Sequence, residues 1–185
     1  MTSTSMMLRP PQRWAVVAAW VSALAGLAPV MWRVHMLLWG AGWDLAPEYR
    51  SQPQLIGYVL ALCVLEAIAS LLVLGLVRPW GEVWPRWLPV VAGRLIPPWL
   101  VVAVASLGAL AVTVIVIMTA YQLTGMTVQG VSNPVLQVHG WHRGFLLAHY
   151  LPWPLWPIGL WLAIIAYALR WQMFSSADPA RAAEG

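Results

Sequence analysis

Glu66 lies in the middle of an apolar run from Leu55 to Val77. A charged side chain at that depth in a bilayer costs about 2.5–3.5 kcal/mol on insertion scales, and more in simulations. A carboxylate there needs a partner, a proton or a water-filled cavity. A protonated Glu66 could donate its proton to an alkene or epoxide, or relay one. An ionised Glu66 would instead act as interhelical glue, with Arg33 in the first apolar run as its counter-charge. Arg33 has two other readings, as an interface anchor and as a clamp for a lipid phosphate. Tyr121 ends the third apolar run and His149 opens the fourth. The candidate site is therefore Glu66 as proton donor or anchor, with Arg33, Tyr121 and His149 around it and His35 at the rim. A rise of about 1.5 Å per residue puts the Arg33 and Glu66 backbones roughly 10–12 Å apart in depth. That gap favours a water or hydroxyl bridge over a direct pair.

Other chemistry is thinner. His139 and His142 flank Gly140 and Trp141 with no Cys or carboxylate nearby, so no metal site is expected. His35 and His149 fall at similar depth, and a haem held between two helices is the weaker alternative. The sequence assigns no cofactor. Cys63 is the single cysteine and reads as a small hydrophobe in a helix interface. There is no Ser-His-Asp order, no Gly-rich phosphate loop and no paired-carboxylate motif. Asp44 and Glu48 fall in a loop and read as solvated.

The elements that must position these residues are membrane spans. Of 185 residues, 61% are hydrophobic and 9% charged, against about 25% charged in soluble domains. Mean hydropathy is +0.74. About 20 apolar residues cross a bilayer, and four stretches qualify: 14–38, 55–77, 98–121 and 145–171, the last broken early by Pro152, Pro154 and Pro157. The fold expected is an all-α polytopic bundle of four transmembrane helices over 14–174, between a cytoplasmic segment 1–13 and a disordered cytoplasmic tail 175–185. Ala23-Leu24-Ala25 resembles a signal-peptide cleavage site, but apolar residues continue to Val30, so the first stretch reads as a retained helix.

All ten basic residues are Arg. They concentrate in the N-terminal segment, the second connection and the tail, which places both termini in the cytoplasm of a plasma-membrane protein. The net charge of +4 is too dispersed for nucleic acid. Many of the 14 Trp fall at expected interface depths, Trp32 and Trp153 among them, and read as an aromatic belt. The connection from Arg78 to Pro97 reads as a segment lying flat on the interface.

Helix faces follow from spacing. Ala18, Ser22 and Gly26 recur every four residues, and Arg33 follows on the same face, which therefore packs inward. Cys63, Glu66 and Ser70 share a stripe opposite the lipid-type residues Leu60, Val64, Ile68 and Leu71.

Residues 66–99 carry a resemblance. Leu74-Gly75-Leu76-Val77-Arg78-Pro79-Trp80-Gly81-Glu82, then Pro85-Arg86-Trp87, Pro89, Gly93-Arg94 and Pro97-Pro98, resembles an uncharacterised group of small four-helix integral membrane proteins of actinobacteria. Trp32-Arg33 and Glu66 match the Trp-Arg pair and the glutamate of that group's first and second helices. The likeness runs from the first helix through the third and implies the four-helix topology. It implies no activity, and the His-bearing third loop departs from it.

Two function classes follow. The first is a bundle that binds a lipophilic ligand or modifies a lipid or isoprenoid through its buried carboxylate. The alternative is a non-catalytic accessory subunit that stabilises a larger membrane complex. Whether the protein is an enzyme stays open at this point. Expected partners are membrane lipids, an apolar small molecule, and another membrane protein or a second copy. A transporter or proton path is a third, weaker class.

Overall fold

The computed structural model describes residues 10–39, 53–85, 89, 92–123 and 140–175. The first loop with Asp44 and Glu48, His139 and most of the third loop, and the tail beyond Ser175 lie outside them, as do the expectations made there.

Among the described residues the chain is all-helical, with four stretches long and apolar enough to cross a membrane. Helix α1 spans Arg13–Trp39 and α2 spans Pro53–Leu72, continued by a 3-10 turn at Val73–Leu76. Helix α3 spans Pro98–Leu123, α4 spans Trp141–Tyr150 and α5 spans Leu155–Ser175. Pro53 and Pro98 open their helices, where the missing N–H costs no intrahelical bond. The fourth span is two helices, with a turn at 151–154 carrying Pro152 and Pro154. Pro157 sits in the first turn of α5, where amides are orphaned in any case, so the helix runs through it.

The central pair is α1 and α5; α2 packs on α1 and α3 on α5. Small residues allow the close central crossing. A Cβ added at Gly159 would sit 2.6 Å from the Ala18 carbonyl oxygen and 2.8 Å from Ser22 Cβ. One added at Gly26 would press on Ser70 and come within 2.8 Å of the Trp156 ring. Ser22 donates to the Trp156 carbonyl at 2.7 Å across this crossing. The inward face of α1 buries Ala15, Ala19, Ser22 and Ala23, and α2 turns Leu60, Val64, Ile68 and Leu71 outward.

The described part of the second connection is folded. It folds back through a 3-10 turn at Pro79–Gly81 and an antiparallel bridge between Val83 and Leu95. Trp84 N–H donates to the Arg94 carbonyl and Ile96 N–H to the Glu82 carbonyl, each at 2.9 Å. Gly93, at φ 72°, supplies the left-handed turn residue inside this loop.

Candidate functional site

Arg33 and Glu66 meet directly. Arg33 Nη1 donates to Glu66 Oε2, and the pair is largely buried, at 12% and 7% side-chain exposure. A long side chain on each residue closes the depth gap estimated from helical rise, so no bridging water is needed. The second carboxylate oxygen is also taken: Trp153 Nε1 donates to Oε1 at 3.1 Å. Trp153 reaches it because the Pro152–Pro154 turn interrupts the fourth span at this level. Glu66's own backbone carbonyl accepts from Ser70 Oγ at 2.7 Å, one turn along α2.

Tyr150 and Cys63 complete the cluster, both in electrostatic reach of the Arg33 guanidinium. Aromatic rings wall it. Trp32 meets Tyr150 edge-on at 5.7 Å, Tyr150 meets Trp153 at 5.4 Å, and Trp153 meets Trp156 at 6.5 Å. Trp32, Trp153 and Trp156 are 1%, 3% and 4% exposed. Trp32 and Trp153 are thus core rather than interface residues, because they enclose a charge pair. Trp14, Trp80, Trp99 and Trp141 are exposed, as a belt requires.

The other two candidates stand apart from the carboxylate. Tyr121 is exposed near the end of α3. His149 turns its Nδ1 to the Phe145 carbonyl of its own helix, at 2.9 Å. His35 and His149 both pack on the Phe145 ring, at 5.0 and 4.4 Å. The residues that join Arg33 and Glu66 are Trp153 and Tyr150, which spacing alone did not single out. The signal available was the double proline around Trp153, which marks a place where a side chain can be turned inward.

A second ion pair was missed altogether. Glu82, in the second connection, is 4% exposed and accepts from Arg170 Nη2 near the end of α5. The Arg170 guanidinium lies 5.1 Å from the Tyr167 ring centroid. Beside this pair is a cavity of about 120 Å³, between the start of α1, the end of α2 and the end of α5.

Chemically, the Arg33–Glu66 cluster is an ion pair with a protein donor on each carboxylate oxygen. One donor lies on α1 and the other in the turn between α4 and α5. That arrangement ties α1, α2 and the fourth span together at one level. No family model, curated protein or solved structure matches this chain. The likeness to actinobacterial membrane proteins therefore stands on the quoted residues alone.

Proposed function

We propose that this chain is a non-catalytic, multi-pass plasma-membrane protein that serves as a small subunit of a larger membrane assembly. Both termini are read as cytoplasmic, on the arginine distribution. The observation that carries the reading is the occupancy of Glu66: Arg33 holds one oxygen and Trp153 the other. With a guanidinium on one oxygen and an indole N–H on the other, the carboxylate has its counter-charge within the protein and needs no ligand to offset its burial. Its role is to fix helices, as polar groups do within membranes.

A partner surface is available on α3. That helix buries Ala109, Val112 and Val116 against the bundle and is the least buried of the four spans, at 17%. Its outward stripe carries Val104, Leu107, Gly108, Ala111 and Ile115, all exposed. A Cβ added at Gly108 would meet nothing within 4 Å. Small residues in such a stripe let a second helix approach closely, where packing rather than apolarity drives association.

The test places a photo-crosslinking side chain at Gly108 or Ala111, and at Val64 on the outer face of α2, in native membranes. A discrete protein adduct from α3 and only lipid adducts from Val64 support the subunit reading. Lipid adducts alone from both faces contradict it. The ligand reading is tested by native mass spectrometry with Glu66→Gln. A small-molecule adduct that the wild type carries and the variant loses would restore the carboxylate as an anchor.

A further inference from the structure

The cavity beside the second ion pair lies about 27 Å along α1 from Arg33, counted from Ala15 at about 1.5 Å per residue, and the Arg33–Glu66 cluster does not use it. Its polar groups are donors. Tyr167 is 2% exposed and lines the cavity, and its hydroxyl proton has no acceptor. A buried O–H without an acceptor costs free energy that a bound acceptor would recover. Arg170 commits Nη2 to Glu82, leaving most of the five guanidinium N–H groups. Gln12 accepts from Trp14 Nε1 through its Oε1, so its NH₂ is the side-chain group left to offer.

Donors converging on one small space select an anion. The remaining wall is apolar, with Ala15, Leu76 and Val77 among its residues. A phosphate with a short apolar stem fits that combination of polarity and size. The start of α1, the end of α2 and the end of α5 all lie at one end of their spans, which is headgroup depth if these helices cross a bilayer.

We infer that this cavity binds the phosphate group of an anionic phospholipid, held by Tyr167, Arg170 and Gln12. The glycerol side of the lipid faces Leu76 and Val77. Assigning it to the cytoplasmic leaflet rests on the proposed orientation; the site itself does not.

The experiment uses the full chain in nanodiscs of equal phosphatidylglycerol and phosphatidylcholine, followed by release and native mass spectrometry. The variants are Tyr167→Phe and the double variant Glu82→Gln with Arg170→Gln. Tyr167→Phe removes the hydroxyl and keeps the buried ring in place, so it tests binding with little change in packing. Both lipids carry the same phosphodiester, so the expected preference, about tenfold for one phosphatidylglycerol, comes from the choline cation meeting Arg170. Tyr167→Phe is expected to lower the amount of retained lipid about threefold, and the double variant to abolish the preference. Release of the lipid by excess inorganic phosphate would place recognition in the phosphate alone. Retention would show that the apolar wall contributes, and either result keeps the anion site. Equal retention of both lipids by the wild type, or undiminished retention in Tyr167→Phe together with an undiminished preference in the double variant, would overturn it.

Discussion

Among the described residues two arginine–glutamate pairs tie the molecule together, and they are built differently. The upper pair, Arg33–Glu66, joins two long apolar helices, and Trp153 closes it from a third segment. The lower pair, Glu82–Arg170, joins a connecting loop to a helix near its end, beside an open cavity. Both carboxylates are nearly fully buried, at 7% and 4% exposure. The difference is what surrounds each when it breaks. In the apolar middle of the spans an orphaned guanidinium has no water to turn to, whereas near the interface it can reach headgroups and solvent. The upper pair is therefore a structural clamp and the lower pair a fastening that leaves part of its arginine available.

That contrast can be broken in order of expected effect. Glu66→Ala removes one partner and leaves Arg33 buried without a counter-charge. A loss of about 3–5 kcal/mol is expected, read as reduced resistance to denaturant in detergent. Gly159→Ala strains the α1–α5 crossing between the two pairs, because the new Cβ meets the Ala18 backbone rather than a movable side chain. A loss of about 1–3 kcal/mol is expected by the same measurement. Glu82→Gln keeps a hydrogen bond to Arg170 but deletes the charge. About 1–2 kcal/mol is expected, between the surface and buried limits for ion pairs. Should Glu82→Gln cost as much as Glu66→Ala, the proposed contrast between the pairs is wrong. Ser22→Ala deletes one interhelical hydrogen bond, to the Trp156 carbonyl, and should cost about 0.6 kcal/mol, the membrane average for such bonds.

The sequence was most legible where one helix alone decides the answer. The apolar stretches 14–38, 55–77 and 98–121 correspond to α1, to α2 with its 3-10 extension, and to α3, within a few residues. The inward face of α2 was legible too, because spacing puts Cys63, Glu66 and Ser70 on one stripe, and all three are buried. The fourth span was legible only as broken. Spacing could not show that α4 begins at Trp141 or that the break aims Trp153 at Glu66.

Pairings between distant elements were the least legible. Glu82 looked like an ordinary loop carboxylate because its burial depends on the loop folding back onto α5. Arg170 entered only the charge count for orientation. The direct Arg33–Glu66 contact was misjudged because rise per residue fixes backbone depth and ignores the reach of two long side chains. Trp32 and Trp153 were assigned to the interface because depth along a helix does not reveal which side of the helix a ring occupies.

The most direct test of the clamp is a double-mutant cycle between Arg33→Gln and Glu66→Gln, read as unfolding free energy in one detergent. If the pair fixes the bundle, the two losses will not add: the double variant will be more stable than their sum by about 2 kcal/mol or more, within the range for residues in direct contact. Losses that add to within about 0.5 kcal/mol, as for independent sites, would contradict the account and return Glu66 to the candidates for ligand binding.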